Sequence, residues 1–372
     1  MDGFTLLLLI GGFVLLVWGA EQLIRGASRL AAGLGVSPLV IGLTVVSYGT
    51  SAPELFISTF SSWAGESDLA FGNIVGSNIF NILFILGICA LISALEVDTR
   101  LIRVDVPIMI GTSVLAWLFA LDGMVTRWEG TLLVAGVVAY TVFCIRQSRR
   151  ESAAIQAEYA QEYGRAARTR RQITAQILLC VVGLVMLVAG SQCLVHACIA
   201  VARWLGVSEL VIGLTIVAAG TSLPEVATSV VAAIRKERDI AVGNLVGSNI
   251  FNILSVLGFS ALVAPNGIEA PPQSLAFDVP VMLAVAVACL PIFFTGHRIS
   301  RWEGALFLGY YAFYLLEQVV MGAQWDAAHR VMIALAWFVV PLTLVTLAIA
   351  AARPHRAPRG EDPPRDGDTD TL

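Results

Sequence analysis

The sequence predicts an all-α polytopic membrane protein: 5+5 inverted-repeat transmembrane helices plus an extra C-terminal helix. Three observations predict it. The chain is 57% hydrophobic and only 13% charged, with a mean hydropathy of +0.81, more apolar surface than an ordinary soluble domain of this length can bury. Apolar stretches long enough to cross a bilayer recur along it. One 54-residue segment is present twice: LGVSPLVIGLTVVSYGTSAPELF… at 34–87 and LGVSELVIGLTIVAAGTSLPEVA… at 205–258 align at a constant offset of 171.

The apolar stretches fall at 4–30, 37–63, 69–95, 102–121, 128–147, 173–202, 208–234, 240–264, 275–296, 300–321 and 328–351. The first has no basic start and is followed by more of the same composition, so it reads as a membrane helix, not a cleaved leader. The stretch 148–172 is the long charged interruption and reads as a cytoplasmic linker. It divides a first repeat, 1–147, from a second, 173–321. The span at 328–351 has no repeat partner. The tail 353–372 is polar and proline-rich and is expected to be disordered.

Charge placement orients this layout. With the amino terminus outside and eleven crossings, all basic residues but Arg127, Arg203 and Arg330 face the cytoplasm, 20 of the 23. That is the positive-inside bias, and it puts the carboxyl terminus in the cytoplasm. Five spans per half give the halves opposite orientations, an inverted repeat about an axis in the membrane plane. Weaker echoes extend the match: Asp105-Val106-Pro107 returns as Asp278-Val279-Pro280, and Arg127-Trp128-Glu129-Gly130 as Arg301-Trp302-Glu303-Gly304. The tryptophans there read as interface anchors.

Chemistry concentrates in two duplicated motifs. G-T-S-x-P-E occurs at 49–54 and 220–225. On a helix Thr50, Ser51 and Glu54 share a face, as do Thr221, Ser222 and Glu225. Pro53 and Pro224 remove an amide donor and should break their helices, freeing carbonyls around 47–49 and near Gly220. A carboxyl group inside a span is costly and marks a functional site. The second motif, G-N-x-x-G-S-N-I-F-N, occurs at 72–81 and 243–252. Ser77 and Asn81 share a face, as do Ser248 and Asn252. Gly76 and Gly247 are small enough to admit a neighbouring helix. Asn78, Asn249, Asn73 and Asn244 read as packing or capping residues. Together the motifs supply hard oxygen donors, which suit calcium or sodium and not zinc or copper.

Other polar residues read as structural. Asp68 and Asp239 look like helix-start residues, with Glu66 and Glu237 beside them; a cation-attracting mouth is the lesser reading. His196 and His297 have no partner at metal-ligand spacing. The six cysteines lie in apolar stretches and form no CxxC pair, so neither a disulfide nor a thiolate metal site is expected. No hydrolase or phosphate-loop motif is present, and nothing points to an enzyme, a cofactor or a nucleic acid.

On the duplicated GTSxPE and GNxxGSNxxN segments the chain resembles the sodium/calcium exchangers of the calcium/cation antiporter superfamily. The resemblance covers about 54 residues in each half, and the family's ten-helix plan covers 1–321. It implies that calcium and sodium, as cargo, are held in turn by Glu54, Glu225, Thr50, Ser51, Thr221, Ser222, Ser77, Asn81, Ser248 and Asn252, with backbone carbonyls near Ser47 and Ala218. Two departures stand out: some relatives carry Asp at the place of Asn252, and the eleventh span exceeds the family plan. The proton-coupled branch carries a glutamate where this chain has Gly76 and Gly247.

The expected activity is secondary antiport of sodium against calcium by alternating access. The two ions compete for shared oxygens. The first and sixth spans would move, their glycines (Gly11, Gly12, Gly19, Gly183, Gly190) permitting sliding. The expected partners are these ions and the lipid bilayer, with no obligatory protein partner. The nearest alternative is a proton-coupled or potassium-dependent exchanger on the same scaffold. A passive channel and an intramembrane hydrolase are further classes, the latter opposed by the lack of a histidine near the duplicated serines.

Overall fold

The computed structural model describes residues 3–34, 36–148, 170–205, 218–294 and 296–318, with five further positions between 336 and 344. Most of the expected linker, the start of the seventh span (206–217), nearly all of the eleventh span and the tail lie outside the described residues.

The described chain is helical. Helices α1 (Gly3–Leu34), α2 (Pro38–Thr50), α3 (Ala52–Trp63), α4 (Ser67–Ile92), α5 (Leu101–Ala120) and α6 (Arg127–Ser148) form the first half. Helices α7 (Arg170–Trp204), α8 (Ala218–Gly220), α9 (Leu223–Ile234), α10 (Arg238–Val263), α11 (Pro272–Phe294) and α12 (Arg301–Leu316) form the second. Among the described residues, seven helices are long and apolar enough to span a bilayer, and α2 with α3 makes an eighth span bent by 46°. The bend falls where Pro53 denies Gly49 its helical donor. Ser51 leaves helical geometry there (φ −83°, ψ 8°), and Ser222 does the same before Pro224 (φ −89°, ψ 6°).

Two small antiparallel ribbons reveal the relation between halves. Strand β1 (Leu95–Glu96) pairs with β4 (Arg298–Ile299), and β2 (Met124–Val125) pairs with β3 (Ile268–Glu269). Strands β1 and β2 flank α5, whose 20 residues span about 30 Å at 1.5 Å each. Strand β3 follows α10, the repeat of α4, yet joins β2 and not β1. Equivalent segments therefore sit at opposite ends of the bundle, which is the geometry of an inverted repeat. Glycine contacts obey the same symmetry. A Cβ on Gly87 would lie 3.0 Å from the carbonyl oxygen of Gly304, and one on Gly130 would lie 2.8 Å from that of Gly258.

Burial separates centre from periphery. In α4 and α10, 78% and 83% of the apolar window is buried inside protein, against 28% and 22% in α1 and α7. The motif helices α4 and α10 are thus central, and α1 and α7 are little covered by the described residues. These two pack on each other through small residues, with Gly12 against Gly190 and Gly19 against Gly183. Gly11 corrects the expected sliding set: no described residue lies within 4 Å of its Cβ position, because it points off the α1–α7 seam. Gly247 does admit a close neighbour, Leu43 and Ser47. For Gly76 no described residue comes within 4 Å; its repeat-related neighbours, 214 and 218, stand at or beyond the edge of the described chain. Trp128 and Trp302 are 70% and 50% exposed.

Two features lie outside what periodicity predicts. Both central helices change to π-helical winding at their motif asparagines, over Asn81–Leu86 and Asn252–Leu257. Such segments are common at functional sites. Asp105 and Asp278, merely repeated in the sequence, accept hydrogen bonds from Tyr140 (3.0 Å) and Tyr314 (2.9 Å).

Candidate cation site

The breaks at Ser51 and Ser222 let α3 and α9 begin inside the bundle, each with its glutamate in the first turn. Glu54 and Glu225 are both 1% exposed. The Ser51 hydroxyl donates to Glu225 Oε1 at 2.8 Å, and the Ser222 hydroxyl donates to Glu54 Oε1 at 2.8 Å. Each serine thus serves the other half's carboxylate, and the two acidic side chains meet across the pseudo-twofold axis. No basic side chain among the described residues pairs with either one. Two ionised carboxylates buried without a counter-charge are strongly unfavourable unless a cation joins them.

Of the rest of the predicted set, Ser77 is tied to this pair and the others lie on the same or adjoining helices. Ser77 Oγ is 3.3 Å from Ser222 Oγ, which joins α4 to the carboxylate cluster. Asn81 lies one turn further along the same face. Ser248 and Asn252 hold the equivalent places on α10, fully buried. Thr50 donates to Asn244 Oδ1 (3.2 Å) and Thr221 to Asn73 Oδ1 (3.3 Å). A hydroxyl that gives its proton to an amide keeps its lone pairs for other use.

Backbone donors differ from expectation. The Ser47 carbonyl is not released by the break, because the Ser51 N–H still reaches it at 3.0 Å. Proline at 53 cancels only the bond to Gly49. The Thr50 hydroxyl also lies 3.5 Å from the Ser47 carbonyl oxygen. The repeat partner of Ser47, Ala218, opens α8, at the edge of the described residues.

The donor chemistry fits a hard cation. Five buried oxygens here have no hydrogen-bond partner among the described residues: Glu54 Oε2, Glu225 Oε2, Asn81 Oδ1, Asn252 Oδ1 and Ser248 Oγ. Carboxylate, amide and hydroxyl oxygens suit calcium or sodium. No group of three or more His, Cys, Asp or Glu able to hold a metal occurs among the described residues.

Sequence reasoning assigned Asn73, Asn244, Asn78 and Asn249 to packing or capping. They cap nothing. Asn73 and Asn244 receive the site threonines, and they donate to Ser58 (2.9 Å) and Ser229 (3.0 Å). Asn78 and Asn249 bond the site amides across the axis, at 3.1 Å to Asn252 and 2.9 Å to Asn81. Their duplication at the same offset as the carboxylates was the available signal. Asp68 and Asp239 do lie in first helical turns.

A family model described as sodium/calcium exchanger protein matches residues 4–146 and 175–320. The chain belongs to the sodium/calcium exchanger family. It is similar to the putative antiporter CaxA of Alkalimonas amylolytica, 40% identical with 82% of this chain and 97% of that protein covered. It is also similar to the sodium/calcium exchanger MaX1 of Methanosarcina acetivorans, 33% identical with 83% and 97% covered. Among solved structures, the sodium-calcium exchanger NCX_Mj superposes with a TM-score of 0.74 at 27% identity, covering 86% of this chain and all of that one. This exchanger-family chain is accordingly a multi-span membrane antiporter of cations and not an enzyme.

Proposed function

We propose that the protein exchanges sodium for calcium across a prokaryotic cell membrane by alternating access. The observation that carries this reading is the reciprocal pair Ser51–Glu225 and Ser222–Glu54, with an unpartnered oxygen left on each carboxylate. Two carboxylates neutralise one divalent ion, and the same oxygens serve sodium when calcium leaves. Because the ions share Glu54 and Glu225, binding of one excludes the other, and exclusion couples the fluxes. Thr50, Ser51, Ser77, Asn81, Thr221, Ser222, Ser248 and Asn252 complete the oxygen shell, with the carbonyls of Ser47 and Ala218. The repeats 1–147 and 173–321 supply one half of the site each.

The moving part in this reading is the α1–α7 pair. It touches itself backbone to backbone at Gly12–Gly190 and Gly19–Gly183, and it contributes none of the predicted site residues. The amino terminus is placed outside and the carboxyl terminus in the cytoplasm, on the arginine bias. Calcium-45 uptake into vesicles tests the whole, with sodium, potassium and proton gradients imposed separately. Uptake driven by sodium alone is expected. Uptake driven only by protons, or only with potassium present, would replace sodium coupling by the corresponding alternative.

A further inference from the structure

The amide of a site asparagine has two ends. Only the oxygen serves a cation; the NH₂ end would repel one. Packing alone distinguishes poorly between the two ends, since they are nearly the same shape. Something must decide which end faces the carboxylates.

The structure holds an amide relay that does so. Asn249 gives its NH₂ to the backbone carbonyl of Asn78 (3.4 Å) and to the Met109 thioether (3.7 Å). Its Oδ1 is thereby left to accept from Asn81 Nδ2, at 2.9 Å. With its NH₂ committed, Asn81 presents Oδ1, buried and without a partner among the described residues. The mirror relay runs through the other half. Asn78 gives its NH₂ to the Asn249 carbonyl (3.4 Å) and the Met282 thioether (3.7 Å). Its Oδ1 accepts from Asn252 Nδ2 at 3.1 Å, and Asn252 Oδ1 is likewise left bare. Asn78 is 2% exposed and Asn249 2% exposed, so water does not compete for these bonds.

We propose that Asn78 and Asn249 are positioning residues for cation binding: each locks the amide of the opposite half's site asparagine, Asn252 and Asn81 respectively, with its oxygen toward the ion. The inference rests on the proposed cation site and names residues that do not themselves touch the cargo. It also explains why neutral Asn252 can serve: a carboxylate presents oxygen at either end, whereas an amide must be aimed. The pairing crosses the halves, which gives the proposal a signature that general packing lacks.

The experiment is a set of double-mutant cycles. Purified Asn78→Ala, Asn252→Ala and Asn81→Ala variants and their pairs are reconstituted in vesicles. The sodium concentration for half-maximal calcium-45 exchange is measured, with the calcium-induced shift in thermal unfolding read separately in detergent. Losing a residue that orients a metal-binding side chain typically weakens binding about 10–100-fold. Asn78→Ala should therefore raise the half-maximal concentration about tenfold or more. It should add nothing in the Asn252→Ala background, and its full effect should remain in the Asn81→Ala background. Equal effects in both backgrounds would reduce Asn78 to a packing residue and overturn the proposal. If Asn78→Ala does not fold, Asn249→Ala with Asn81→Ala and Asn252→Ala tests the mirror pair. The thermal shift keeps the two readings apart. A protein that shows the crossed pattern in calcium stabilisation, yet no sodium-driven flux, would retain the relay and lose the exchange function.

Discussion

Ser51 and Glu225 are 174 positions apart, yet the serine hydroxyl donates to the glutamate at 2.8 Å, and Ser222 returns the same bond to Glu54. Each repeat thus completes the carboxylate of the other. Each carboxylate also keeps one buried oxygen with no hydrogen-bond partner among the described residues.

Removing either charge should stop transport. Glu54→Gln and Glu225→Gln each keep the size of the side chain and halve the formal charge available to a divalent ion. Sodium-driven calcium-45 uptake in vesicles is expected to fall to background in both, with normal yield and elution of folded protein. Retained exchange in both variants would take these residues out of the mechanism.

The serines should matter less, and equally. Ser51→Ala and Ser222→Ala each delete a hydrogen bond to a charged group, worth about 1.5–3 kcal/mol. Apparent calcium affinity should weaken about 10–100-fold in each, measured as the half-maximal concentration for uptake. The pseudo-twofold symmetry predicts matched effects. A large loss in one and none in the other would show that the halves are not equivalent in function.

Acid should compete with calcium. A proton on Glu54 or Glu225 removes the negative charge that holds the cation, so lowering pH weakens binding. At the acidic limit, one competing proton demands up to about tenfold more calcium per pH unit for the same uptake. Raising calcium at low pH should restore the rate; a fall in rate that calcium cannot reverse would count against competition at the site.

The α1–α7 seam should tolerate no added bulk. A Cβ at Gly183 would stand 2.6 Å from the Leu23 amide nitrogen and 2.7 Å from the Gly19 carbonyl oxygen. Overpacking of this kind costs about 1–3 kcal/mol, so Gly183→Val should lower both thermal stability and exchange rate. Gly11→Ala, off the seam, should change neither. Equal sensitivity at the two positions would remove the seam from the proposed motion.

Much of this was legible residue by residue. The duplicated glutamates, threonines and serines stood out because polar groups inside apolar spans carry a cost that packing alone does not repay. Pro53 and Pro224 announced the helix breaks because a missing amide proton is a local fact. Misreadings arose where a partner was needed. Gly11 resembles Gly12 in sequence, and only the position of α7 tells them apart. The Ser47 carbonyl was expected to be free, but which amide reaches it depends on how the backbone turns at Ser51. The π-helical winding over Asn81–Leu86 and Asn252–Leu257 has no periodicity signal, since each segment is short and mostly apolar.

The sequence by itself determined that this chain crosses a membrane many times, that it is made of two related halves, and that oxygen donors are buried in both. These follow from composition, length and repetition, which are properties of the chain in order. Only the tertiary structure decided that Ser51 serves Glu225 and not Glu54, and that Asn78 aims Asn252. Those pairings join residues roughly one repeat length apart, and they exist because antiparallel superposition of the halves brings equivalent helices face to face across one axis.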